Sequence, residues 1–292
     1  MQARLLRFTL TSQMALGAVL GYWLSEGSLA LTLLWALSLP LLMSLGTVLY
    51  SFIVSRPGES AASWWRALAG ECVASTRIFM LRQPWAFAAP QVARHTVNAE
   101  RIPVLLVHGF VCNYRVWDSL VPALRAQGHT VLAINLEPPF TSIDDYAVQV
   151  ERAVQALRAA TGQQNVALVA HSMGGLAVRA WMRRFDSSFA TRVITLGTPH
   201  AGTRVPRWAA LPNTQQMAWH SDWLAELAAT ETEALRCKFR IGISPQDNIV
   251  FPQRAQTLPG VVPRVFDGHG HLQLCTSAEV RHWVCQELSA TP

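Results

Sequence analysis

An α/β fold, with a mostly parallel sheet, helices on both faces and two transmembrane helices ahead of it, is what three features of this 292-residue sequence predict. Short apolar runs alternate with helical patterns from about residue 100 onward. One of those runs passes straight into a Ser set between small residues and then into a helix. The first 55 residues are almost free of charge. Strands separated by helices pair in parallel, because a parallel neighbour is reached only through a long crossover.

Taken in order, Ile102 to Val107 opens the α/β domain, assigned to residues 96–292, and Thr130 to Leu136 is its second strand. Ile143 to Ala160 carries apolar residues at helical spacing until Thr161 and Gly162 stop the pattern. Val166 to His171, Arg192 to Gly197, Lys238 to Ser244 and Arg264 to Phe266 read as further strands, and a last helix follows His271. Roughly 200 residues suffice for one domain with a sizeable core. Residues 203–235 lack strand character; Trp208, Trp219, Trp223 and Leu227 suit either a small lid or an amphipathic helix facing the core.

The abrupt strand-to-helix turn at Ser172 demands an unfavourable backbone conformation, and Ala170 and Gly174 leave room for it. A serine hydroxyl is a poor nucleophile at neutral pH, so it needs a base and a carboxylate to orient that base. The Gly-rich loop from Asp267 to His271 offers two bases, His269 and His271. Asp247, in the loop after the 238–244 strand, and Asp267 are the carboxylates within reach of the argument.

Four runs taken together resemble the α/β-hydrolase superfamily, and its lipases and carboxylesterases above all. They are H-G-F at 108–110, A-H-S-M-G-G at 170–175, L-G-T-P-H-A-G-T at 196–203 and G-H-L-Q-L at 270–274. Small bacterial lipases carry the same A-H-S-M-G in place of the commoner G-x-S-x-G. The resemblance implies Ser172 as nucleophile, Asp247 as the orienting acid and His271 as base, in the chain order of that superfamily. It implies oxyanion donors in the backbone N–H groups of Phe110 and Met173, with His108, Gly109, His171 and Gly174 in support. Asp267 and His269 remain the rival acid and base. The implied substrate is a hydrophobic ester or lipid, hydrolysed through an acyl-enzyme with no cofactor and no metal. The same residues also suit a thioesterase, a phospholipase, an amidase on lipid-linked substrates or a polyester hydrolase. A catalytically idle membrane-bound interaction module is the reading outside enzymes, and a complete Ser, Asp and His set in order argues against it.

The N-terminus points to a membrane. Phe8 to Leu24 and Leu29 to Val54 are apolar runs, the second with no charge, and about 20 such residues cross a bilayer. They predict a two-helix anchor over residues 1–55, followed by an amphipathic helix and linker over 56–95, where Trp64, Trp65, Phe79 and Trp85 alternate with Arg. Arg4 and Arg7 before the first run, Arg56, Arg66, Arg77 and Arg82 after the second, and Glu26 alone between them put both ends in the cytoplasm of an inner-membrane protein. The competing expectation is a signal peptide cleaved near Ser28 to Ala30, leaving a signal-anchored domain that faces the periplasm. The net charge of +6 is spread over dispersed Arg residues, with Lys238 the single lysine, which suits anionic headgroups and not nucleic acid. That usage looks bacterial and GC-rich. Five cysteines without a C-x-x-C pair predict neither a disulfide framework nor a zinc site. Nothing in the sequence fixes an oligomeric state.

Overall fold

The structure, a computed structural model, describes residues 1–56, 59–87, 101–204 and 211–290. Six strands, β1 (Val104–Val107), β2 (Val131–Ile134), β3 (Val166–His171), β4 (Ala190–Leu196), β5 (Phe239–Ile243) and β6 (Arg264–Val265), form one sheet in the order β2-β1-β3-β4-β5-β6. Every neighbouring pair is parallel. All strands therefore end at one rim, and the loops leaving that rim are brought together whatever their separation in sequence.

The two-residue period of a strand divides the core. Leu105, Val107, Leu168 and Ala170 face α5 (Ile143–Thr161) and α6 (Met173–Arg184), packing on Val150, Val154, Leu176 and Trp181. Val104, Leu106, Ala167 and Val169 face the other way, toward Trp117, Leu124 of α4 (Val121–Ala126), Cys275 of α10 (Gln273–Thr276), and Val280 and Val284 of α11 (Ala278–Ser289). A parallel sheet is buried on both faces, and the unbroken apolar run of β3 reflects this. Helix α5 starts at Ser142, whose side chain accepts from the Asp144 N–H, and ends at Gly162 with φ +70°.

The N-terminal helices belong to the same body. Helix α1 (Gln2–Leu24) and α2 (Leu29–Ser55) form an antiparallel hairpin closed on small residues: a Cβ at Gly17 would lie 2.4 Å from the Trp35 carbonyl oxygen, and one at Gly21 2.8 Å from the Trp35 Cβ. Among the described residues, only α2 is long and apolar enough to cross a membrane, with a mean hydropathy of 1.9 over its most apolar stretch. Of the two expected spans only α2 meets that criterion; Thr9, Thr11, Ser12 and Gln13 dilute the apolar character of α1. Helix α3 (Ala61–Ser75) continues into a π-helical stretch, Thr76–Arg82, whose Ile78 is fully buried with Leu106 and Trp117 in the sheet's second core. So the segment expected to be an amphipathic helix packs one face on the domain, while Trp65, Val73 and Leu81 stay exposed. The linker expected beyond it lies largely outside the described residues.

Residues 211–290 include α7 (Pro212–Gln216), α8 (Asp222–Ala229) and α9 (Glu233–Arg236). Met217, Leu224 and Leu227 are buried, the core-facing arrangement of the two expectations for this segment; Trp208 lies outside the described residues. Beyond α8, Glu231 reaches into the interior and pairs with Arg179 of α6 at 2.6 Å, both side chains almost wholly buried. Arg179 also donates to the His200 carbonyl oxygen at 3.0 Å. Removing one member of such a pair leaves an uncompensated buried charge. Glu231→Ala should therefore destabilise the fold by about 3–5 kcal/mol, read as a lowered thermal unfolding midpoint in detergent, whereas Glu226→Ala on the exposed side of α8 should leave the midpoint in place.

Candidate active site

Ser172 sits between the last residue of β3 and the first turn of α6 with φ +55° and ψ −131°, a conformation that side chains other than Gly rarely adopt. The turn is tight enough to exclude larger neighbours. A Cβ on Gly174 would lie 2.5 Å from both the Val107 and His108 carbonyl oxygens, and one on Gly109 2.6 Å from the Ser172 Cβ. Gly109 and Gly174 thus let β1 and α6 close around the serine. Gly174 has the place predicted for it, and the Ala170 methyl is accommodated in the core.

Asp247 and His271 meet across the rim. The Asp247 Oδ2 lies 2.8 Å from His271 Nδ1, and its Oδ1 accepts from the backbone N–H groups of Ile249 and Val250 at 2.9 and 2.7 Å. Both side chains are buried. Burial opposes a charge on the imidazole, but the Asp247 carboxylate and, farther off, Glu71 outweigh it, so the His271 pKa is raised above its ordinary 6.5. The Asp247 bond sets a proton on Nδ1 and leaves Nε2 of a neutral ring as the basic nitrogen. Ser172 and His271 line one cavity of about 420 Å³ together with His171 and Phe110.

The rival acid and base are engaged elsewhere. Asp267 bonds Ser63 and Arg66 of α3, each at 2.6 Å, and Gln246 at 3.1 Å. His269 donates from Nδ1 to the Asp267 carbonyl oxygen at 3.0 Å, and its Nε2 lies 2.9 Å from Ser277 Oγ at the start of α11. His108 accepts the Leu136 N–H on Nε2 at 2.9 Å and donates from Nδ1 to the Gly109 carbonyl oxygen at 2.8 Å, joining the loops that follow β1 and β2. Desolvation lowers its pKa to about 4, so it is neutral. His171 is likewise held neutral by burial and by the neighbouring His271, and it donates from Nε2 to the His271 carbonyl oxygen at 3.1 Å. Among the described residues neither the Phe110 N–H nor the Met173 N–H donates to a protein acceptor, and Phe110 lines the cavity beside Ser172.

Two residues that the sequence did not single out hold the His271 loop. Asn248 accepts the His271 N–H at 3.0 Å and donates to Ser51 Oγ of α2 at 2.7 Å. Glu71 of α3, buried, accepts the N–H groups of Leu272 and Gln273 at 3.0 and 2.9 Å. Desolvation pushes the Glu71 pKa up to about 7 against those two hydrogen bonds. The available signal was an acidic residue on the otherwise apolar face of a helix; its partner, 201 residues away, is invisible to a linear reading.

Residues 102–240 match the family described as alpha/beta hydrolase fold. A triacylglycerol lipase of Burkholderia plantarii is 35% identical over 123 residues, which cover 38% of this chain and 33% of the lipase. The chain spans about a third of the length of the curated relatives it matches. Aspergillus fumigatus lipase B superposes with a TM-score of 0.58 at 16% identity, over 69% of this chain and 56% of that one. The mature form of the Bacillus licheniformis lipase BlEst2 gives 0.56 at 16% identity, over 65% of this chain and 93% of that one.

The Asp247 contact makes a direct prediction. In an imidazole NMR titration, His271 should titrate above pH 6.5. Asp247→Asn should move that midpoint down, and Glu71→Gln should move it down by less, because each replaces a negative neighbour by a neutral one.

Proposed function

We propose that this chain, which has the α/β-hydrolase fold, is a membrane-anchored serine esterase or lipase that cleaves carboxylic esters of hydrophobic acyl chains. The observation that carries the reading is the strained Ser172 turn sharing one largely apolar cavity with His271, whose Nδ1 is held by the buried Asp247. The lipase names of the relatives point the same way.

In the proposed reaction, Ser172 Oγ attacks the ester carbonyl carbon while its proton passes to His271 Nε2, and Asp247 stabilises the imidazolium and keeps the ring oriented. The carbonyl oxygen becomes an oxyanion, which receives hydrogen bonds from the N–H groups of Phe110 and Met173; the latter also lies at the positive end of α6. Collapse of the intermediate breaks the bond to the alcohol oxygen, which takes the proton from His271. A water molecule then gives its proton to His271 Nε2 and attacks the acyl-serine, and the second collapse releases the acid and restores the Ser172 hydroxyl. Each group has a role that needs no cofactor.

The membrane part of the reading rests on α2 and on the arginines. Both ends of the α1–α2 hairpin lie against the catalytic domain, through the Met1 ammonium with Glu137 at 2.6 Å and through Gln253 with the Ser55 carbonyl oxygen at 3.5 Å. Both ends then stay on one side of the bilayer, and the flanking Arg residues favour the cytoplasmic side of an inner membrane. Five unpaired cysteines suit a reducing compartment. Cleavage near Ala30 would strip α1 from a hairpin whose halves pack through Gly17 and Gly21, which argues for an anchor retained in the working protein.

The test is hydrolysis of p-nitrophenyl esters from acetyl to palmitoyl by detergent-purified protein beside Ser172→Ala. Wild type should turn over medium or long chains, and the variant should lose about 10⁴-fold or more in kcat, as nucleophile removal does in serine hydrolases; equal rates for the two proteins would refute the assignment. His271 must be neutral to accept the proton, so kcat/KM should fall as pH drops, with its acid midpoint above 6.5. A pH-rate profile with a lower midpoint would place the base elsewhere.

A further inference from the structure

We infer that the base of the α1–α2 hairpin is the acyl-chain site of this enzyme, so that the helices expected to serve as an anchor also form the substrate-binding wall over Ser172. The inference rests on the hydrolase reading above and adds where the chain of the substrate lies. On α1 the residues lining the Ser172 cavity are Leu6, Thr9, Leu10 and Gln13, spaced as neighbours along one helical face. On α2 they are Pro40, Met43, Ser44, Thr47, Val48 and Ser51, again one continuous face. Two stripes of this kind facing a cavity form the two sides of a slot that leads away from the serine. The volume of about 420 Å³ falls within the ~300–1,000 Å³ usual for small-molecule sites. The residues expected to form a lid contribute nothing to this wall: among the described residues, none between 211 and 235 lines the cavity.

The same helices hold the reacting groups. Ser51 of α2 bonds Asn248, which holds the His271 backbone, and Ser44 of α2 lies 3.1 Å from Ser75 Oγ at the end of α3, the helix that carries Glu71. Arg7 of α1 donates to the Pro84 carbonyl oxygen at 2.6 Å. Fastening is confined to this basal part. Beyond it, residues 14–39 contribute nothing to the cavity, and Leu16, Val19, Trp23, Leu33, Leu34 and Leu37 are exposed.

Length then decides how the hairpin meets lipid. A helix of 27 residues is about 40 Å long, but Pro40 to Ser55 lies along the catalytic domain. The remaining Leu29 to Leu39 extends roughly 16 Å, about half of a ~30 Å hydrocarbon core. Inserted to that depth, the hairpin enters one leaflet and returns, and the slot opens at the level where acyl chains begin. The substrate class that fits is an ester of a long unbranched acyl chain drawn from the lipid phase, its tail between α1 and α2 and its carbonyl at Ser172.

Two measurements on the full-length protein in lipid nanodiscs test this. Ser172→Ala is photolabelled with palmitate carrying a diazirine near the end of its chain, with and without excess plain palmitate. Labels should fall on peptides containing residues 6–13 and 40–51 and be displaced by the competitor; labels confined to residues 14–39, or unmoved by competitor, would overturn the proposal. In the second, Leu10→Trp and Met43→Trp should lower the ratio of kcat/KM for palmitoyl over butyryl esters at least tenfold, while Leu33→Trp, outside the slot, keeps the wild-type ratio. An unmoved ratio in both slot variants would overturn the acyl site. If the wild type shows no Ser172-dependent turnover at all, the hydrolase reading fails while displaceable labelling of the two stripes still decides whether the chain site exists.

Discussion

The hydrogen bond between Asp247 and His271 is the interaction on which the arrangement of the rim depends. It is buried, so its strength comes with a demand: every other polar atom of the two residues and of their loops must find a partner out of water. Asp247 meets that demand inside its own loop, through Ile249 and Val250. The N–H groups of His271, Leu272 and Gln273 find their acceptors outside their own loop. Asn248 and Glu71 take them up, and with them α2 and α3 become part of the site's support.

This gives Glu71 an unusual position. A carboxylate is an effective acceptor for two adjacent N–H groups, yet burial makes its charge costly, and the balance leaves its pKa near 7. A residue with that value changes its mean charge around neutral pH, beside a histidine whose own charge it favours. The same loop is also pinned by His171 from the strand that carries Ser172. The Ser172 turn, the His271 loop and the N-terminal helices are thereby joined through single hydrogen bonds, the kind of linkage that holds groups at fixed separations.

Parallel topology explains how so few contacts suffice. Because β1, β3 and β5 all end at the same rim, Phe110 and Ser172 reach a common cavity on short loops and Asp247 reaches His271 beside it, and Gly109 and Gly174 permit the close approach there. Arg179 and Glu231 stiffen the far side of α6. The hairpin is built on a different principle, backbone contact across Gly17 and Gly21 with apolar side chains left outward. That leaves an outward apolar surface, which the proposed membrane anchor would cover with lipid.

By itself the sequence determined the period of each element, and hence the parallel sheet, the serine turn and the apolar character of residues 29–55, because these are local: each is written in residues a few positions apart. It also named Asp247 and His271, though only through likeness to a family, since nothing local separates Asp247 from Asp267 or His271 from His269. In the tertiary structure Asp247 pairs with His271, while Asp267 pairs with Arg66 and His269 lies against Ser277. The tertiary structure also decided that Met217, Leu224 and Leu227 pack inward, that Glu71 and Asn248 hold the His271 loop, and that α1 and α2 line the cavity. Each of those outcomes is a contact between segments tens to hundreds of residues apart, and such contacts are set by the packing of the whole chain, which no local pattern encodes.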